Sequence, residues 1–142
     1  MALMKIDPHL SIHWFWQSEE EFFDELSSKL PQALDYPTEL YIRGKILAFL
    51  CGRARNRKDF RALVAFMDQG LFELRFTLFI ESSEIRVRLI LARVPDRITF
   101  LQWHVKDSEQ TLEKQRAGQN LDCLEAIERL KGMTIDNTNP SR

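Results

Sequence analysis

Apolar residues recur at every second position from Leu71 to Lys106, which is the period of β-strands with one buried face. Two stretches of turn-forming residues, 81–84 and 94–97, divide this region into three segments. The pattern predicts an antiparallel meander of three strands.

The region before the meander begins with β-branched and aromatic residues. Leu10–Trp16 therefore predicts a first strand. Ser18 is followed three residues later by Glu21, the signature of a capping box. A helix should begin there and end near Leu30, ahead of Pro31.

Further helices are predicted on both sides of the meander. Thr38 is a candidate N-cap for a helix over 39–55, and 60–66 forms either a short helix or a turn. After the meander, a last helix should begin near Ser108 and end at Gly132. Asn, Thr and Pro are frequent in 133–142, which predicts a disordered tail.

These elements predict a single α+β domain over residues 1–132. At 142 residues the chain is long enough to close one hydrophobic core without disulfides or a structural metal. We expect an antiparallel β-sheet, formed by the three-strand meander and the N-terminal strand, with helices packed on one of its faces.

The composition indicates a cytoplasmic protein. Hydrophobic residues make up 44% of the chain and the formal net charge is -1. The two cysteines form no C-x-x-C motif, which suits a reducing compartment. Neither a signal-peptide pattern nor an 18-residue apolar run occurs in the sequence, so we expect no membrane association.

Basic residues are concentrated in one segment. Between Arg43 and Arg61 the sole acidic residue is Asp59, whereas 19–25 is strongly acidic. A basic run is either a solvated helix face or a surface for the phosphate backbone of RNA. The candidate RNA-binding residues of this run are Arg53, Arg55, Arg57 and Lys58.

Alternation assigns the side chains of the meander to two faces. We expect Leu101 and Trp103, with similarly placed apolar residues of the other strands, to point to the helices. The opposite face then carries cationic side chains and an imidazole. Its members are Glu73, Arg75, Arg86, Arg88, Gln102, His104 and Lys106.

This predicted face has two interpretations. Antiparallel sheets often leave one face in water, where charges need no function. Alternatively, the cations stabilise the negative charge that develops during phosphodiester cleavage, while His104 transfers protons. RNA supplies its own nucleophile, the 2′-hydroxyl. The sequence shows no metal-ligand spacing of its histidines and no phosphate-binding glycine motif, so we expect neither a metal nor a cofactor.

Three segments resemble a known family. They are GLFELR (70–75), FLQWHVKDSEQT (100–111), which follows a strand with arginines, and EAIER (125–129). Together they are similar to the RelE/ParE toxin superfamily, specifically its phage-derived HigB-like branch. The resemblance extends from about Val64 to Arg129, and GLFELR is its most specific segment.

The resemblance implies a RelE-like fold and the toxin of a type II toxin-antitoxin pair. Such toxins are endoribonucleases that cleave mRNA on the ribosome without a metal, and a helix-turn-helix antitoxin neutralises them. Arg75 and Lys106 match family positions, and Arg86 or Arg88 matches a strand arginine. The predicted catalytic residues are Arg75, Arg86, Arg88, His104 and Lys106, with Gln102 as an RNA contact.

The chain departs from the family pattern near the imidazole. Gln102 occupies the position of the family's histidine, and His104 follows two residues later on the same face. Leu91 and Asp107 replace a tyrosine and a lysine. A displaced imidazole implies an active ribonuclease, whereas a degenerate site implies a binding or regulatory protein of the same fold. A ParE-like inhibitor of DNA gyrase is a third interpretation.

Overall fold

The computed structural model describes residues 11–50, 64–66, 71–94, 97–106 and 110–137. In these ranges a five-stranded mixed sheet is packed with three helices, so the predicted α+β class is confirmed. The strands are β1 (Ser11–Trp14), β2 (Val64–Phe66), β3 (Leu71–Ile80), β4 (Ser83–Val94) and β5 (Arg97–Lys106). The helices are α1 (Glu19–Ser28), α2 (Tyr36–Ala48) and α3 (Leu112–Asn137).

β3, β4 and β5 form the predicted meander, because each strand pairs antiparallel with the next. Ile80 is paired with Ser83, so the first connection consists of Glu81 and Ser82 alone. Both residues have positive φ angles, 50° and 66°. Type I′ turns require this backbone conformation and match the twist of the two strands.

β1 is an edge strand beside β5 in the strand order β1-β5-β4-β3-β2. It runs parallel to β5, with Ser11 opposite Arg97 and Trp14 opposite Phe100. The sheet is therefore mixed, and the prediction of a wholly antiparallel sheet is wrong. Parallel neighbours need a long connection, which the chain between β1 and β5 provides.

β2 lies at the other edge of the sheet and pairs antiparallel with β3, with Val64 opposite Leu74. The prediction of a helix or turn over 60–66 is therefore wrong for Val64–Phe66. Valine and phenylalanine favour strands, and the edge of β3 offers backbone hydrogen bonds. A helix as short as this segment would have formed few backbone hydrogen bonds.

Side-chain caps determine where the first two helices begin. Ser18 Oγ accepts a hydrogen bond from the Glu21 backbone N–H at 3.1 Å, as the capping box predicted. Asp35, rather than Thr38, is the N-cap of α2, because its carboxylate accepts from the Thr38 N–H at 2.8 Å. Pro37 follows in the first turn, where a missing N–H costs nothing.

α1 and α2 cover one face of the sheet through a core rich in aromatic rings. Trp103 of β5 is fully buried there, and its indole N–H donates to the Phe22 carbonyl of α1 at 2.9 Å. Trp14 stacks on Phe100 with ring centroids 4.4 Å apart. Large rings with hydrogen-bonded polar groups fix the position of β5 against α1.

α3 covers the opposite face of the sheet. Leu71, Ile90 and Leu101 pack there with Ala126, and Leu130 joins them from the same helix. Helices therefore lie on both faces, and the prediction of a single helical face is wrong. The face that we expected to be open carries a small apolar core of its own.

A β-bulge in β5 explains this second core. Ile90 pairs with Gln102 whereas Leu91 pairs with Phe100, which leaves Leu101 as the extra residue. Leu101 consequently packs on α3, whereas strict alternation had placed it on the same face as Trp103. Together with Ile90 it supplies the apolar surface that α3 buries.

α3 extends further than predicted. It continues through Gly132 to Asn137, and Met133 packs against the apolar core under α3. Packing of Met133 stabilises the last turns, so the predicted tail over 133–142 begins too early. Residues 138–142 lie outside the described part of the chain.

Candidate functional site

The meander brings the five predicted catalytic residues onto one face of the sheet. Arg75 lies opposite Arg88, which itself lies opposite His104, and Arg86 lies opposite Lys106. Side chains of directly opposed residues project to the same face and are close neighbours. We call these five residues the cationic face.

The side chains of the cationic face differ in exposure. The side chains of Arg75 and Arg86 are 58% and 53% exposed, whereas those of Arg88 and His104 are 11% and 8% exposed. Two guanidinium groups are thus accessible to a macromolecule. The other guanidinium and the imidazole lie where water screens charges less.

Glu73 lies among the arginines and contacts two of them. Its carboxylate, 8% exposed, is 3.1 Å from Arg75 and 3.6 Å from Arg88. Burial lowers the pKa of Arg88, Glu73 opposes this shift, and the charges of Arg75 and Arg86 lower the pKa further. The guanidinium remains charged at neutral pH, so Glu73 balances part of the cationic charge.

His104 is bound by a carboxylate from α3. Its Nδ1 lies 2.7 Å from Asp122 Oδ2, and Asp122 Oδ1 lies 3.2 Å from Lys29 Nζ. Lys29, the C-cap residue of α1, also donates a hydrogen bond to the Trp103 carbonyl at 2.6 Å. A chain of polar contacts therefore connects α1, β5 and α3 at the imidazole.

Two opposing effects act on Asp122. Burial raises the pKa of its carboxyl group, but the hydrogen bond with His104 and the charge of Lys29 outweigh burial. The net result is a pKa of Asp122 below its ordinary value. The carboxylate is therefore ionised at neutral pH.

Gln102 has a structural role, and its predicted contact with RNA is wrong for this structure. Its side chain is fully buried under α3, and Oε1 accepts hydrogen bonds from Arg129 at 2.9 Å and from the Trp103 N–H at 3.1 Å. Its Nε2 has no hydrogen-bond partner among the described residues. We expected this face to be open, but α3 packs on it and buries Gln102.

A cleft of about 450 Å³ lies between the end of β5 and α3. Lys29, His104, Lys106 and Asp122 contribute polar groups to its wall, and Leu121 contributes an apolar side chain. A second cleft of about 290 Å³ adjoins it and is lined by Arg86 and again by Lys106. The imidazole of His104 thus forms part of the wall of the larger cleft.

Sequence analysis missed Asp122, Lys29 and the pairing role of Glu73. A signal for Asp122 exists in the helical pattern, because it precedes the buried Ala126 by four residues and therefore shares its helix face. An acidic residue on the buried stripe of a helix needs a partner. No comparable signal marks Lys29, whose partners lie far away in the sequence.

The basic run lies outside the described ranges, so the RNA-binding role of Arg53, Arg55, Arg57 and Lys58 stays a prediction. In the described parts of the chain, no group of three or more His, Cys, Asp or Glu side chains is placed to hold a metal ion. No helix within those parts is long and apolar enough to cross a membrane. Comparison with known proteins identified no matching family model, curated protein or solved structure.

Proposed function

We propose that the protein is a metal-independent endoribonuclease and the toxin of a type II toxin-antitoxin pair. One observation supports this most strongly: an imidazole bound by a carboxylate lies on the same sheet face as three arginines and a lysine. Proton transfer and stabilisation of a developing anion are the two requirements of phosphodiester cleavage. The cationic face offers both at one place.

The reaction uses the 2′-hydroxyl of RNA as its nucleophile. The 2′-oxygen forms a bond to phosphorus while the bond from phosphorus to the 5′-oxygen breaks, which yields a 2′,3′-cyclic phosphate and a 5′-hydroxyl. One proton leaves the 2′-hydroxyl and one reaches the departing 5′-oxygen. His104 carries out one of these two transfers, and Lys106 or water in the same cleft carries out the other. Arg75, Arg86 and Arg88 stabilise the negative charge on the oxygens of the pentavalent phosphorus, because a guanidinium group can donate two hydrogen bonds to a phosphate.

The wider setting follows from the resemblance of the sequence to the RelE/ParE superfamily. In this proposal the fold is RelE-like and the protein acts in the cytoplasm. Its target is mRNA on the ribosome, and a helix-turn-helix antitoxin neutralises it. β3, which carries LFELR (71–75), and β5, which carries FLQWHVK (100–106), pair with β4 on either side, and this arrangement supports the proposal.

A second candidate function is a non-catalytic RNA-binding or regulatory protein. Glu73 forms ion pairs with Arg75 and Arg88 in the described structure, and His104 is nearly buried. The first feature reduces the positive charge available to bind a phosphate, and the second limits access to the imidazole. A protein of this kind would bind RNA through the exposed arginines and leave it intact.

Two cleavage assays with the purified chain test the proposal: one uses a short single-stranded RNA in excess EDTA, and the other uses the same RNA bound to intact ribosomes. We expect cleavage by the wild type, a loss of at least about 100-fold in His104→Gln, and a smaller loss in Arg75→Ala. Lys131→Ala, which removes an exposed charge from α3, should cleave normally. Intact RNA with wild type in both assays, or equal cleavage by His104→Gln, would contradict the proposal.

Induced expression in growing cells provides the second test. We expect growth arrest with new 5′ ends in transcripts, both of which His104→Gln should relieve. Binding with unchanged transcript ends would support the non-catalytic alternative. Arrest accompanied by altered plasmid supercoiling would instead indicate inhibition of DNA gyrase.

A further inference from the structure

We propose that Asp122 is the positioning residue for His104: it fixes the imidazole as the Nδ1–H tautomer, so that Nε2 is the nitrogen that takes the proton of the RNA 2′-hydroxyl. The inference rests on the proposed function and deepens it. It adds a residue from α3 to the site and assigns His104 the role of general base.

The contact between the two side chains determines where the hydrogen lies. Asp122 Oδ2 and His104 Nδ1 are 2.7 Å apart, a distance typical of a charge-assisted hydrogen bond. An ionised carboxylate accepts hydrogen bonds and cannot donate them. The hydrogen in this contact therefore belongs to Nδ1, and a neutral imidazole then has a lone pair at Nε2.

The charges around the imidazole keep the carboxylate in its ionised form. Lys29 contacts Asp122 from the end of α1, Arg88 lies opposite His104 on β4, and Lys106 follows on β5. Among the described residues, Asp122 is the acidic group that contacts the ring. The hydrogen bond with His104 and the charge of Lys29 stabilise Asp122 as an anion, in agreement with its lowered pKa, whereas Arg88 is already paired with Glu73.

The cleft beside α3 gives the imidazole a route to substrate. His104 and Asp122 both line this cleft of about 450 Å³, a volume within the range of small-ligand sites. Because Asp122 occupies Nδ1, Nε2 is the ring nitrogen left for the substrate. Lys106 lines the same cleft and can neutralise the phosphate next to the attacked ribose.

Nitrogen NMR of the imidazole tests the tautomer without requiring activity. In the full-length wild type with ¹⁵N-labelled histidine, measured over a pH titration that reaches the neutral ring, we expect the neutral form of His104 to show a protonated Nδ1 and an unprotonated Nε2. Histidine in water favours the other tautomer, so this signature is diagnostic. Asp122→Asn should shift the population towards Nε2–H, whereas Asp24→Asn, a charge loss at an exposed site of α1, should change nothing.

Single-turnover cleavage of RNA tests the role of the tautomer. Asp122→Asn should lower the rate of the chemical step about 100-fold or more with little change in RNA affinity, and Asp122→Glu should recover part of the rate. A wild-type Nε2–H tautomer, or an Asp122→Asn variant of normal rate, would overturn the inference. If the wild type shows Nδ1–H but cleaves no RNA, the proposed function fails and the positioning of His104 stands.

Discussion

At the scale of single residues, the site balances exposed cationic charge against the stability of the folded chain. Glu73 is buried between Arg75 and Arg88, and it neutralises charge that a phosphate would otherwise meet. It also gives Arg88, which is 11% exposed, a partner that a buried cation requires. Glu73 therefore stabilises the fold while weakening the attraction for polyanions.

Glu73→Gln should separate these two effects. The amide keeps a hydrogen-bond acceptor but loses the charge, so we expect tighter binding of single-stranded RNA and a steeper dependence of log Kd on log salt, by about 0.7. The free energy of unfolding should fall by about 1–3 kcal/mol, because the buried Arg88 loses its counter-charge. Fluorescence anisotropy at several salt concentrations and urea unfolding measure the two quantities.

Glu84→Gln is the matched control for this prediction. Glu84 also faces an arginine, Arg86, but at 3.7 Å and with both side chains about half exposed. Exposed pairs of this kind contribute little to stability. A salt dependence of Glu73→Gln no steeper than that of the control would show that Glu73 does not limit RNA binding.

At the scale of elements, the turn between β3 and β4 stores conformational strain. Glu81 and Ser82 both adopt positive φ angles, which cost a residue with a Cβ roughly 1 kcal/mol or more. The ten paired residues of β3 impose this turn, because strand register fixes which two residues remain between Ile80 and Ser83. The strand pairing thus overrides the preference of the turn residues.

Ser82→Gly should relieve this strain. Glycine adopts positive φ without a steric penalty but loses more backbone entropy on folding, so we expect a net gain of about 0.5–1 kcal/mol in the free energy of unfolding. Ser28→Gly, placed in the last turn of α1, should instead destabilise by a similar amount. Urea denaturation of both variants measures the difference, and a destabilising Ser82→Gly would contradict the assigned turn.

The elements that sequence predicted correctly are those determined by neighbours in the chain. The capping box at Ser18 and the alternation in β3 and β4 are local, and Arg75 and Arg88 share a face of the sheet as predicted. The bulge at Leu101, the strand Val64–Phe66 and the parallel β1 depend on contacts between distant segments, which no local pattern records.

The same reasoning explains the candidate site. Its cationic residues were predictable because a strand period of two places them on one face. The burial of Gln102 and the binding of His104 by Asp122 were not, since both depend on α3 packing on that face. A helix thus converts part of an exposed charged surface into a cleft.

At the scale of the whole molecule, Arg129 joins the three layers of the structure. From α3 it contacts Glu25 of α1 at 2.6 Å, the Leu101 carbonyl of β5 at 2.8 Å and Gln102 Oε1 at 2.9 Å. Its guanidinium also lies over the Phe15 ring, 3.9 Å from the centroid. The position of α3, and with it the position of Asp122, depends on this residue.

Arg129→Ala should therefore destabilise the molecule more than any exposed charge on α3. Loss of the guanidinium leaves the carboxylate of Glu25 and the buried Gln102 amide short of partners, so we expect a decrease of about 3 kcal/mol in the free energy of unfolding. Lys131→Ala, at a 68% exposed side chain of the same helix, should change it by less than about 0.5 kcal/mol. Urea unfolding measures both values, and amide hydrogen exchange should show faster exchange in α3 for Arg129→Ala. Equal stability of the two variants would mean that the apolar contacts of Ala126 and Leu130 suffice to dock α3.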